Sequence, residues 1–181
     1  TSVLWLAFSS CAHVPVEASC ASFGDVGYCL QPSTSSFSVT QSVERSYANG
    51  VERFIVYLEV KESDIRMVGL TPFGRRMLQI HSSAAHVSSD IPADAALNAQ
   101  RILAGLQLAF WPLAQARAGV RGAAARLVET PDGVTRRLMN GETVVFVATC
   151  EGTRPLCRRA RLHYETLGQS LLIEALEGSE S

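Results

Sequence analysis

Four histidines, five cysteines and three groups of arginines are the side chains of this 181-residue sequence most able to do chemistry. His13, His81, His86 and His163 are scattered, with no HExxH spacing and no Cys or Asp cluster beside them, so no zinc-type ligand set is spelled out. Serines are plentiful, yet none lies in the Gly-x-Ser-x-Gly elbow that holds a nucleophile on a strained turn. Triad members need not be neighbours in sequence, but an enzyme would need them to converge in a cleft, and His81 or His163 beside an acid is the first place to look. The residues therefore name no catalytic group, no metal and no cofactor, and the expectation is a protein that is not an enzyme.

The cysteines divide into two kinds. Cys11 closes the apolar run TSVLWLAFSSCA, which reads as the end of a secretory signal of the type that precedes a lipidated cysteine in bacterial lipoproteins. Ser10 suits that pattern, Phe8 stands where Leu is usual, and a first buried strand is the competing reading. With Cys11 lipidated, Cys20, Cys29, Cys150 and Cys157 remain, an even set that allows three pairings and suits an oxidising compartment. A Cys150–Cys157 bridge would staple the hairpin around EGTRPL, and a Cys20–Cys29 bridge would close a small loop. Free thiols and metal are the rivals, but neither pair has the spacing of a zinc knuckle.

A formal net charge of −1 gives no case for bulk attraction to nucleic acid, and every basic residue but Lys61 is arginine. Gly74-Arg75-Arg76, Arg136-Arg137 and Arg158-Arg159-Arg161 would form either a basic rim for anionic head groups or solvated strand positions paired with Glu129, Glu142 and Glu165. The second is expected, because exposed ion pairs are common and contribute little.

The elements that would carry these residues are mostly strands. Residues 1–11 hold the signal remnant, 12–36 read as a Ser-, Gly- and Pro-rich tether or irregular segment, 37–177 as one β-rich domain, and 178–181 as an acidic tail. Val39, Gln41 and Val43 share one face of a first strand, and Asn49-Gly50 supplies a turn. In Arg53 to Val60, Phe54, Val56, Leu58 and Val60 face one way and Ile55 and Tyr57 the other, a pattern expected of a strand covered on both sides. Strands at Ile65 to Leu70 and Arg75 to His81 complete an antiparallel meander, followed by a polar connection from Ser82 to Asp90. Asp90 or Asp94, near Pro92, supplies helix-start chemistry.

Arg101 to Arg117, RILAGLQLAFWPLAQAR, then reads as one apolar helix, kinked or broken by Pro112 and acting as a plug or lid. Five further strands follow, from Ala124, Val134, Thr143, Arg158 and Gln169, with Pro131-Asp132-Gly133 and Asn140-Gly141 as turns. The count is about nine strands and one main helix, in the α+β class. No segment reaches the ~20 apolar residues of a membrane-spanning helix.

The combination of Leu70-Thr71-Pro72-Phe73-Gly74, the run Leu106 to Leu113, and a late Arg-Leu strand with Tyr164 resembles an uncharacterised family of bacterial lipoproteins. That family is often encoded in aryl polyene and related fatty-acid-synthase-like gene clusters, and the likeness covers about Tyr28 to Leu176. It implies lipidation at Cys11, with Ala12 after it fitting retention at the periplasmic face of the outer membrane. The family in turn is similar to the lipoprotein carriers LolA and LolB, which implies a curved, half-open antiparallel β-barrel with a hydrophobic cavity under a helical plug or lid. No enzymatic residues carry over.

On this basis the expected role is an envelope lipoprotein that binds or transfers a lipid, acyl or aryl polyene chain. Phe54, Val56, Leu58, Leu103, Leu106, Phe110, Trp111 and Phe146 are expected to line its cavity. The membrane, through the lipid anchor, and envelope biosynthesis enzymes are the expected partners, with no nucleic acid. The alternative is a non-catalytic assembly factor of the envelope with a filled core, working through surface contacts.

Overall fold

A computed structural model describes residues 19–83, 86–91 and 98–180, with side chains described up to residue 176. The lipidation reading at Cys11 and helix-start chemistry at Asp94 lie outside the described residues. In strand β3 (Phe37–Tyr47) the alternation is clear, with Phe37, Val39, Gln41 and Val43 all buried. The next strand, β4 (Gly50–Lys61), pairs with it in antiparallel register, Val43 opposite Phe54 and Arg45 opposite Glu52. A period of two along each strand places one set of side chains on the inner face throughout.

The meander continues through β5 (Asp64–Leu70), β6 (Arg76–Ser83) and β7 (His86–Asp90). After the helical segment come β8 (Val120–Arg121), β9 (Ala125–Glu129), β10 (Thr135–Asn140), β11 (Thr143–Gly152), β12 (Cys157–Tyr164) and β13 (Gln169–Glu180). Strand β13 returns to pair with β3, so one ten-stranded antiparallel sheet runs β7-β6-β5-β4-β3-β13-β12-β11-β10-β9. Its end strands β7 and β9 do not pair with each other, so the sheet is an open, curved half-barrel rather than a closed one.

The helical segment lies against the inner face as α1 (Ala99–Phe110) and α2 (Leu113–Ala118). Asn98, rather than an aspartate, caps α1: its Oδ1 accepts from the Arg101 N–H at 2.9 Å. Asp90 instead ends β7. The helix stops where expected, since Pro112 has no N–H to donate and Trp111 takes an extended backbone before it.

Three expectations are corrected. The segment read as a tether contains β1 (Cys20–Phe23) and β2 (Val26–Cys29), which form with β8 a three-stranded sheet. Phe23 and Tyr28 are buried, and Phe23 meets the rings of Phe146 and Tyr164 at 5.4 and 6.0 Å. Two apolar pairs around a glycine turn are too short to show a period, yet they cover the helix from outside. The polar link after His81 is mostly strand β7, an exposed edge whose polar residues satisfy backbone pairing without a buried face. Tyr57 is 44% exposed, so β4 is covered on its inner face only.

Both bridges are formed, Cys20–Cys29 across the β1–β2 hairpin and Cys150–Cys157 across the β11–β12 hairpin. Among the described residues no helix is long and apolar enough to cross a membrane.

Candidate functional site

Helix α1 fills only part of the inner face. It packs on β1, β11, β12 and β7, and its buried side is almost continuous from Leu103 to Phe110. On the β3–β6 side a cavity of about 370 Å³ remains between helix and sheet. Ile102 and Leu106 of α1 form one wall, and Val43, Phe54, Val56, Met67, Leu78, Leu171 and Ile173 of the sheet form the other. This lining is aliphatic and methionine-rich, suited to a flexible apolar chain because thioethers adapt their shape.

One end of the cavity is polar. Arg45, Tyr47, Glu52 and Gln169 meet there, at the end of the sheet that carries the β3–β4 turn. The Arg45 guanidinium donates through Nε and Nη2 to Gln169 Oε1, both at 3.3 Å, and through Nη1 to Glu52 Oε2 at 3.3 Å. Its Cζ stands 5.1 Å from the centre of the Tyr47 ring, and the Tyr47 hydroxyl donates to Glu52 Oε1 at 3.4 Å. At the same end the β5–β6 link exposes Phe73 almost completely.

The opposite end of α1 is fixed. Arg136, 3% exposed, donates through Nη1 to the carbonyls of Leu108, Ala109 and Trp111, and through Nε to Glu129 at 2.6 Å. Arg154 donates to the Ala109, Gly133 and Val134 carbonyls. A helix C-terminus leaves carbonyls unpaired and carries partial negative charge, so cations are favoured there. Midway along, the buried Gln107 amide accepts from the Tyr28 hydroxyl and the Gln31 N–H and donates to the Gln31 carbonyl, tying α1 to the outer hairpin.

Of the residues expected to line a cavity, Phe54, Val56 and Leu106 do so. Leu58, Leu103, Phe110, Trp111 and Phe146 do not: they are buried in the packed core instead. Trp111 meets Phe37 edge-on at 6.2 Å, and Phe146 meets Tyr164 at 5.1 Å. Leu58 and Phe146 have the inward parity, and Leu103, Phe110 and Trp111 belong to α1 and its end, but here the helix and the small sheet fill the concave face. Arg45, Gln169, Met67 and Ile173 carry no motif in the sequence, but the same alternation that turns Val43 inward extends to Arg45.

Arg76, Arg158 and Arg159 are solvated and paired as expected, but of the expected acid partners Glu129, Glu142 and Glu165 only Glu129 meets an arginine of the three groups. Arg76 pairs with Asp90, Arg158 with Glu151 and Arg159 with Glu174. Arg136 does pair with Glu129, but Arg136 is buried at the helix end and Glu129 half-buried, rather than both solvated. Glu142 pairs with Arg126, and Glu165 with His163.

Two histidines do sit beside acids, His81 3.0 Å from Asp64 and His163 3.4 Å from Glu165, with the Ser170 Oγ 2.7 Å from the other His163 nitrogen. Both lie on the outer face of the sheet, out of register with the inward positions that line the cavity. Asp64 reaches His81 from the neighbouring strand, Ser170 faces His163 across β12 and β13, and Glu165 follows His163 by two residues. Among the described residues no group of three or more His, Cys, Asp or Glu could hold a metal ion.

Residues 38–177 match a family model described as a protein of unknown function, DUF3261. No curated protein matches the sequence. Among solved structures, a LolA superfamily protein from Nitrosomonas europaea is similar at 10% identity and a TM-score of 0.46, covering 80% of this chain and 86% of that one. A DUF1329 family protein from Desulfovibrio piger is similar at 9% identity and a TM-score of 0.43, covering 82% and 86%. These are loose likenesses of architecture.

Proposed function

We propose that this chain, which belongs to the DUF3261 family of proteins of unknown function, is a carrier or receptor that shelters one hydrophobic chain between its open sheet and helix α1. The observation that carries this reading is the cavity of about 370 Å³, walled by aliphatic and methionine side chains beside the packed core. Burial supplies the driving force, about 0.8 kcal/mol for each methylene removed from water. The ligand is a lipid, acyl or aryl polyene chain. The alternative of an assembly factor with a filled interior is disfavoured by this same cavity.

The proposed setting is the cell envelope, on the periplasmic side of the outer membrane. Two disulfides fit an oxidising compartment. A lipid on Cys11 would hold the protein there, within reach of envelope biosynthesis enzymes. No part of the proposal calls for catalysis.

Titration with Nile red, a neutral dye that brightens in apolar surroundings, tests the cavity. One dye is expected to bind per chain and to be displaced by long-chain amphiphiles. Ile102→Trp, which places an indole in the cavity, is expected to weaken uptake at least about tenfold while leaving the fold intact by circular dichroism. Absence of uptake by the native protein, or uptake undiminished in the variant, would overturn the reading.

A further inference from the structure

We propose that the ligand is a single-chain amphiphile with an anionic oxygen head, carboxylate or phosphate, and that Arg45 receives the head while the chain runs along Val43, Phe54 and Leu106. This rests on the reading of the cavity as a ligand site. Size argues for one chain: about 370 Å³ is near the lower end of the ~300–1,000 Å³ typical of small-molecule pockets, and α1 closes the rest of the concave face.

The choice of head comes from Arg45. An inward-facing arginine on a strand whose other buried residues are Phe37, Val39, Val43 and the neutral Gln41 is costly unless its charge has a use. Its side chain is only 15% exposed. Of the five N–H donors of a guanidinium, three are engaged among the described residues, which leaves two for a ligand. The acidic partner, Glu52, is 38% exposed and sits at 3.3 Å, looser than the ~2.7–2.9 Å of a strong charge-assisted bond. The contrast within the molecule is informative: where Arg136 serves structure alone, its carboxylate is closed down to 2.6 Å and is 20% exposed against 38% for Glu52. At Arg45 an incoming anion can displace Glu52 toward water, keeping the bidentate geometry that guanidinium and carboxylate or phosphate share.

Competition against bound Nile red tests this with dodecanoate, dodecyl phosphate, dodecanol, dodecyltrimethylammonium and a two-chain phosphatidylglycerol. At least one anionic single-chain competitor is expected to bind about tenfold tighter than dodecanol, and the one that does identifies the head. Arg45→Gln is expected to abolish that margin without changing dodecanol. Glu52→Gln is expected to widen it, and it carries the test should Arg45→Gln fail to fold. Equal binding of dodecanol and both anions, a margin that survives Arg45→Gln, or phosphatidylglycerol competing as well as the single chains would overturn the proposal while leaving the cavity reading intact. Failure of every competitor and of the dye would instead defeat the cavity reading itself.

Discussion

Gly105 is the one position in α1 where a side chain is excluded by a named neighbour. A Cβ there would overlap the Tyr164 hydroxyl, which is buried and has no hydrogen-bond partner among the described residues. Glycine inside a helix costs about 1 kcal/mol relative to alanine, so close packing has overridden propensity here. Gly105→Ala is expected to destabilise the protein by about 1–3 kcal/mol in urea unfolding. Tyr164→Phe alone is expected to be neutral or slightly stabilising, because no hydrogen bond is lost and an unpaired hydroxyl is removed. In the double variant the alanine should cost less, though not nothing, since the ring Cζ still lies 3.0 Å from the new methyl group. Strictly additive effects would show that the two residues are not coupled. Neither member of this pair is visible as such in the sequence, where Gly105 reads only as an interruption of an apolar helix. Arg45 escapes for the opposite reason: residue type assigns a charge to the outer face, and only its parity with Val43 turns it inward.

Turns and breaks were the most legible elements because their causes are local. Pro131-Asp132-Gly133 falls between paired strands, the turns expected at Asn49-Gly50 and Asn140-Gly141 are displaced by one residue to Ala48-Asn49 and Gly141-Glu142, and Pro112 ends α1 as its missing donor requires. β7 escaped because an exposed edge strand carries no hydrophobic alternation, and β1 and β2 because four residues are too few to display one. What sequence pattern could not convey is how α1 is held, since Arg136 and Arg154 reach it from distant strands and loops. Arg136→Met is expected to lower the unfolding free energy by about 3 kcal/mol, because it removes the side-chain donor from the Leu108 and Trp111 carbonyls and leaves Glu129 only the 3.7 Å contact with Arg154. Arg159→Ala, which breaks only the outer pair with Glu174, should leave the urea midpoint unmoved. Equal sensitivity of the two would refute the anchoring role of Arg136.

At the scale of the whole molecule, the order of strands, helix and strands was legible in the sequence and the open form followed from the resemblance, while periodicity marked which residues turn inward onto the concave face. It did not convey which half of that surface the helix occupies, so Leu58, Leu103, Phe110, Trp111 and Phe146 went to the core while Phe54, Val56 and Leu106 line the cavity. The filled half also sets the response to alkali. Burial raises the pKa of Tyr28 and Tyr164 well above the ordinary phenol value near 10. The folded state thus holds these protons more tightly than the unfolded chain does. Their contribution is complete below about pH 10 and is lost as pH rises beyond it, so the urea midpoint is expected to fall between about pH 8 and about pH 11, and to fall less in Tyr164→Phe. An unchanged slope in that variant would locate the alkaline loss elsewhere. The uneven fastening of α1 also has a mechanical meaning. Four guanidinium-to-carbonyl bonds grip its last turn, whereas near its first turn the Arg101 side chain makes a single exposed bond to the Ser22 carbonyl. Such a rod is a cantilever with a stiff root and a compliant tip, so under the proposed function the range of chain girths the protein accepts is set by deflection of the first turns.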